Sequence, residues 1–361
     1  MAHRLRSHRS LSLAILLSLV AAVASAEEET PLPKVVVLAT GGTIAGAAES
    51  DTTAGYTSGK VGVEQLLAAV PQAAKLAQLS GEQVASIGSQ DMDDEVWLKL
   101  AKRVNELAAM DDVKGIVITH GTDTIEETAY FLSLVVKTQK PVVMTGSMRP
   151  STALSADGPL NFYNAVAVAA DPFAADRGVL VVMNDWIHSA GAITKTNTTA
   201  VQTFASPLRG LIGTVSYGTT EYYRYPVGRV GLKSEFSVEG VEKLPRVDIV
   251  YAHAGMDGTL IDAAVKSGAK GIVVAGVGNG NMTKGALASI AKHAKKGIVC
   301  VRSTRVPSGR VSRNVEVDDD ANGTIASEEL NPARARVLLK LALLAKPKLE
   351  PDDFQEIFRQ Y

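Results

Sequence analysis

The stretch Val35–Gly46 reads VVVLATGGTIAG: an apolar run that enters a turn of glycine and threonine. A dinucleotide-binding turn asks for glycine at i, i+2 and i+5, the middle one so that the backbone can approach a pyrophosphate. Gly41 and Gly46 occupy the outer positions, but the middle one is Thr43, whose branched side chain obstructs that approach. The helix that should follow is replaced by AAESDTTAGYTSGKVG (47–62), polar and punctuated by Gly55, Gly59 and Gly62, which reads as a lid. Thr43 is therefore either a hydroxyl that caps a tight turn or one presented for chemistry.

Working outward, β-branched runs alternate with helical patterns along the chain. The strand candidates are Lys34–Ala39, Gly115–Thr119, Pro141–Thr145, Gly178–Met183, Val247–Tyr251, Gly271–Ala275 and Gly297–Val301. Helices are predicted at Val63–Ala69, Asp94–Ala109, Thr124–Lys137, Leu160–Ala170, Gly258–Ser267 and Pro332–Leu344. Continuous apolar strands between amphipathic helices imply an α/β fold whose mostly parallel sheet is covered on both faces, with ligands at the carboxyl ends of the strands. Between Thr219 and Arg246 the pattern breaks into a mixture of charge, Gly and Pro. This divides the chain into a larger N-terminal α/β domain (27–220), a connection (221–246) and a smaller C-terminal α/β domain (247–361).

Residues 1–26 are set apart. Arg4, Arg6 and Arg9 precede the apolar LSLAILLSLVAAV, and Ala24-Ser25-Ala26 suits signal peptidase, so the segment reads as a cleavable secretory leader. The formal net charge is −1, and removal of the three arginines makes the remainder more acidic. A nucleic-acid footprint needs a concentrated basic face, which is absent. No later apolar run is long enough to span a membrane. Cys300 is the only cysteine, so no intramolecular disulfide is possible; it lies in GIVCV and reads as core. His120, His188, His253 and His293 show no metal-ligand spacing, and neither metal nor cofactor is expected.

Two further stretches carry chemistry. In VITHGTDTIEETAYFL (117–132) a strand ends at His120-Gly121 and a helix opens around Thr122-Asp123-Thr124, with Glu126 and Glu127 at capping-box spacing. Asp123 or Thr124 can simply satisfy the helix's orphan amides; the same hydroxyls and carboxylate also stand where an α/β site belongs. In AITKTNTT (192–199) one lysine sits among hydroxyls. It is either a solvated turn residue or, partly desolvated, a base for a hydroxyl nucleophile.

TGGTIAG, HGTDTIEETAYFL, GSMRPSTALSADGPLNFYNAV, TKTNTT, GVGNGN and RSTRVPSG, in this order over nearly the whole chain, resemble the bacterial type II L-asparaginases of the asparaginase/glutaminase family. The resemblance implies hydrolysis of L-asparagine, and secondarily L-glutamine, with Thr43 attacking the carboxamide carbon, an acyl-enzyme releasing ammonia, and water freeing aspartate. It implies that Tyr56 on the lid orients Thr43 or helps to deprotonate it, that Thr122, Asp123 and Lys195 form a second cluster, and that Ser89 and Gln90 bind the substrate. Asp123 would also meet the substrate ammonium, and backbone amides of the Gly41–Thr43 and Thr122 turns would hold the oxyanion. Glu316 would enter a neighbouring subunit's site in a homotetramer built as a dimer of dimers, in the periplasm. The loop YAHAGMDG, Tyr251–Gly258, departs from an asparagine-bearing segment that some relatives place near the site, which leaves a glutaminase-asparaginase of comparable activities as the alternative. From another class, an amino-acid-binding protein explains the leader and two domains but not the hydroxyls grouped with lysine.

Overall fold

The structure, a computed structural model, describes residues 31–48, 56–57, 59, 61–346 and 350–361. The expected leader and most of the lid therefore lie outside the described residues, and of Tyr56 only the backbone is described. The strands in chain order are β1 (Lys34–Gly41), β2 (Ala47–Ala48), β3 (Tyr56–Thr57), β4 (Gln78–Ile87), β5 (Val113–Thr119), β6 (Val142–Thr145), β7 (Val179–Met183) and β8 (Trp186–Ser189). They continue as β9 (Thr194–Lys195), β10 (Phe204–Ala205), β11 (Gly213–Ser216), β12 (Thr219–Tyr222), β13 (Val247–Tyr251), β14 (Gly271–Gly276), β15 (Val299–Thr304) and β16 (Thr324–Ala326). The helices are α1 (Val63–Ala69), α2 (Asp94–Ala108), α3 (Ile125–Val135), α4 (Gly158–Ala170), α5 (Thr259–Lys266), α6 (Lys284–Ala294), α7 (Asp319–Asn322), α8 (Pro332–Ala345) and α9 (Pro351–Gln360).

An eight-stranded sheet runs β12-β11-β8-β7-β6-β5-β1-β4. Strands β7, β6, β5, β1 and β4 are parallel, and β8, β11 and β12 extend one edge in antiparallel fashion. Four parallel strands, β13-β14-β15-β16, form the smaller C-terminal sheet. The expected architecture, a larger mostly parallel α/β part and a smaller α/β part, is what is found. One detail differs: Glu221 and Tyr222, assigned to the connection, close β12 and pair with Thr214 and Gly213 of β11.

The period of two along a strand explains why β1 is apolar from Val35 to Ala39. Val36 and Leu38 face a core built with Trp97 and Leu100 of α2 and Phe131 of α3, while Val35, Val37 and Ala39 face a second core with Phe162 and Val166 of α4 and Leu66 of α1. In the C-terminal sheet the same alternation sends Val273 into the first core and Ile272 and Val274 into a third, which contains Ile261, Ile290 and the buried Cys300. Burial pushes the Cys300 thiol up to about 12. Each fully buried large apolar side chain stabilises the fold by roughly 1.5–3 kcal/mol. The first core also takes in Leu338, Leu339 and Leu341 of α8, so it runs without a break from the large sheet to the small one.

Candidate active site

Strand β1 lies between β5 and β4, and the chain passes from β1 to β4 on one side before crossing to β5 on the other. This reversal is the topological switch point where open α/β sheets hold ligands. Thr43, Ser89 and Thr122 all stand just past carboxyl ends at this point, on the turns that follow β1, β4 and β5, and all three are buried. The hydroxyl of Thr40 donates to the Thr119 carbonyl at 2.9 Å, tying two of the strand ends together.

The glycines of the opening motif are there because three backbones meet. Gly41 and Gly42 have φ of +107° and +81°, in the left-handed region that favours glycine. A Cβ on Gly41 would lie 2.4 Å from the Ile87 carbonyl oxygen, and one on Gly42 would lie 2.3 Å from the Gly121 nitrogen. A Cβ on Gly121 would in turn meet the Ser89 hydroxyl at 2.5 Å. The ladder between β1 and β4 shifts register between Ala39 and Gly41, a bulge of the kind that re-aims the chain beside a site. Thr43 then sits in a 3₁₀ turn closed by the bond from Gly46 N–H to its carbonyl. The Gly42 amide donates to the Ile87 carbonyl at 2.9 Å. That amide is thus bonded within the protein.

At the end of β5 the helix start is not used as a cap. Thr124 is the N-cap of α3, yet its side chain makes no capping bond; its hydroxyl donates to the Ser89 carbonyl at 2.7 Å. The Asp123 amide donates to the Ser89 hydroxyl at 3.1 Å. Lys195 Nζ donates to Asp123 Oδ1 at 2.6 Å and to Thr122 Oγ1 at 3.0 Å. The Lys195 side chain is 19% exposed and that of Asp123 60%, so the ion pair spans the boundary between protein and solvent. Thr122, Asp123, Ser89 and Lys195 thus form one hydrogen-bonded cluster beside the Gly42–Gly121 contact that carries Thr43. Just behind it, His120 is fully buried and its Nδ1 donates to the Gly121 carbonyl at 2.7 Å. Burial pushes its pKa down to about 4, which keeps the ring neutral near pH 7.

Residues 34–228 match the family described as asparaginase, N-terminal, and residues 246–358 match the glutaminase/asparaginase C-terminal domain. The chain belongs to the asparaginase family. This family's members are amidohydrolases. L-asparaginase 2 of Escherichia coli (strain K12) is 52% identical over 330 residues, covering 91% of this chain and 94% of that protein. The probable periplasmic L-asparaginase of Haemophilus influenzae is 48% identical, covering 97% of this chain and 99% of that protein. A glutaminase-asparaginase of Pseudomonas fluorescens biotype A is 44% identical, covering 98% and 97%. Among solved structures, a probable cytoplasmic L-asparaginase from Campylobacter jejuni superposes with a TM-score of 0.87 at 44% identity, covering 91% of this chain and all of that one.

The other asparaginase-like positions are less gathered. Gln90 is exposed next to Ser89, and its amide donates to Asp91 Oδ2 at 3.2 Å. Tyr56 lies in the β2–β3 ribbon, opposite Ala48, and the Gly59 amide beyond it donates to the Gly42 carbonyl, so the lid's far end returns to the Thr43 turn. Glu316 is exposed and its carboxylate accepts from Asn281 Nδ2, a partner not singled out in the sequence although it lies in GVGNGN. The loop Tyr251–Gly258 turns toward the C-terminal core: Met256 is buried there, and the Thr283 hydroxyl donates to its carbonyl at 2.6 Å. No group of three or more His, Cys, Asp or Glu side chains suited to a metal ion occurs among the described residues, and no helix among them is long and apolar enough to cross a membrane.

Proposed function

We propose that the protein hydrolyses L-asparagine to L-aspartate and ammonia through an acyl-enzyme on Thr43. The observation that carries this reading is the Lys195–Thr122–Asp123 cluster, built against the turn that bears Thr43. A threonine hydroxyl is a weak nucleophile at neutral pH and needs a neighbouring group to take its proton. In this reading Thr43 Oγ bonds to the side-chain carboxamide carbon, the C–N bond breaks, and ammonia leaves with a proton relayed through the cluster. Water then adds to the ester and frees aspartate, returning the proton to Thr43. Lys195 and Thr122 handle protons, and Tyr56 orients Thr43 or helps to deprotonate it. The Asp123 carboxylate meets the substrate ammonium, while Ser89 and Gln90 hold its carboxylate. Glu316, paired with Asn281, completes a neighbouring subunit's site in a homotetramer assembled as a dimer of dimers. The leader-like residues 1–26 and the name of the Haemophilus relative support a periplasmic location.

The second reading, a glutaminase-asparaginase with comparable activities, is favoured by the relative of that name. Ammonia release with each amide separates the two. A single methylene is worth about 1–3 kcal/mol, or roughly 10–200-fold in kcat/KM, so L-asparagine is expected to lead within that range and Thr43→Ala to abolish release from both. Equal kcat/KM values would promote the second reading. Undiminished turnover by Thr43→Ala would overturn the nucleophile, and binding without any ammonia would favour a solute-binding protein.

A further inference from the structure

Lys195 sits on a slender support. Its strand, β9, has two residues and, among the described strands, pairs with Phe204 and Ala205 of β10, apart from the main sheet. A two-stranded ribbon of that size is marginal alone, yet it holds a long, flexible side chain within 3.0 Å of Thr122 and 2.6 Å of Asp123. Consecutive side chains on a strand point to opposite faces, so whatever grips Thr194 holds the ribbon from the side away from Lys195.

That grip is Glu126. The Thr194 hydroxyl donates to Glu126 Oε2 at 2.7 Å. Glu126 lies in the first turn of α3, directly after Thr122-Asp123-Thr124, so one carboxylate fixes the strand that carries the lysine to the turn the lysine must reach. Its other oxygen accepts from Asn331 Nδ2 at 3.3 Å, and Arg334 Nη1 stands 3.8 Å from Oε2. Arg334 is buried and also donates to the carbonyl of Ile193, the residue before Thr194. The first turn of α8 therefore clasps both halves of the link, the ribbon backbone and the carboxylate.

We propose that Glu126 is a positioning residue that sets the Lys195 ammonium against Thr122 and Asp123 by holding Thr194, with Asn331 and Arg334 locking the carboxylate in place. The proposal deepens the reading of Lys195 as a proton-handling group and rests on it for its catalytic consequence. Removing Glu126 also strands a buried guanidinium, which costs stability in its own right. Thr194→Val is the cleaner cut, because it deletes one hydroxyl at nearly constant volume.

The test measures two things in the full-length protein and in Thr194→Val, Glu126→Ala, Glu126→Gln and the Thr194→Val/Glu126→Ala double variant. The first is the rate at which Lys195 is acetylated by limiting acetic anhydride, read by peptide mass spectrometry, which reports the placement of the amine whatever the enzyme catalyses. The second is kcat and KM for L-asparagine. Misplacing a reacting group by about 1 Å can cost on the order of 100-fold. Thr194→Val and Glu126→Ala are expected to raise Lys195 acetylation several-fold and to lower kcat about 10- to 100-fold with little change in KM. The double variant should be no worse in kcat than Glu126→Ala, and Glu126→Gln, which keeps one acceptor oxygen, should fall between. Unchanged Lys195 acetylation in both single variants, whatever happens to Tm or kcat, would overturn the positioning role. Raised acetylation with wild-type kcat would uphold it and count instead against Lys195 as a proton carrier.

Discussion

Helices α2 and α3 start in matching places, each just beyond the carboxyl end of a parallel strand and each behind acidic and hydroxyl residues. At α2 these residues do what local physics asks: Asp93 accepts from the Val96 amide at 2.9 Å, satisfying one of the orphan donors of the first turn. At α3 they do not. The Thr124 hydroxyl is spent on the Ser89 carbonyl, Asp123 on Lys195, and Glu126 on Thr194 and Asn331. Similar sequence signals yield a cap in one place and a hydrogen-bonded cluster in the other. A stretch that breaks its local rule while keeping its polar residues bonded to distant partners is where function is concentrated.

The sharpest way to break the comparison is to cut the cluster side. Thr122→Val and Asp123→Asn should each lower kcat by at least about 100-fold, within the range for general acid–base groups, while the melting temperature stays near wild type. Lost stability with turnover intact would make the start of α3 another cap. Acid tests a difference just upstream. The turn before α3 contains buried His120, held at about 4, and β8 contributes His188, also pushed down to about 4 by burial. Unfolded, both bind a proton near 6.5, so the unfolded chain gains protons first as pH falls. Stability should therefore drop between about pH 6.5 and 4, by on the order of 3 kcal/mol for each ring, with no contribution from them above that window. Urea unfolding at pH 7 and 4.5 measures it, and an unchanged slope in His188→Asn would exclude that ring. The smallest effect belongs to the cap side. Asp93→Ala should cost about 1 kcal/mol of stability and leave kcat alone; a matching loss of turnover would mean that α2 serves the site as much as α3 does.

What is legible in the sequence follows from the same distinction. Parallel strands buried on both faces are apolar along most of their length, so β1, β5, β6, β7, β14 and β15 stand out as runs, and β13, VDIVY, does so from its β-branched residues although Ile249 and Tyr251 are exposed. Strand β4, QLSGEQVASI, has one buried residue, Val84, and none of that signal; its pairing with β1 reveals it. Helices α6 and α9 are not among the predicted elements, although PDDFQEIFRQ does carry a helical signal, with Pro351 at its start and Phe354, Ile357 and Phe358 spaced along one buried face; in KGALASIAKHA the small alanines leave the buried face less distinct. In the site, Thr43, Thr122, Asp123 and Lys195 stand out because motifs place hydroxyls at strand ends. The roles of Glu126 and Asn331 do not, because their meeting joins residues 205 positions apart, and Glu126 at capping-box spacing has an adequate local explanation. The glycines around Thr43 signal a turn, yet what demands them is the close approach of Ile87 and Gly121, from strands far away in sequence.

The unbroken core between the two sheets bears on how this family can be recombined. In sequence, the chain looks like two exchangeable pieces, with family matches over 34–228 and 246–358. In space, Leu338, Leu339 and Leu341 pack in one core with Phe131 and Leu100, Lys340 bonds to Asp94 at 2.6 Å, and Arg334 reaches Ile193 and Glu126. A chimaera that takes its C-terminal piece from a relative inherits α8 without the side chains that evolved against it. The crossover that preserves the fold is thus one that moves α8 together with α2 and α3, a unit discontinuous in the gene and contiguous in the molecule.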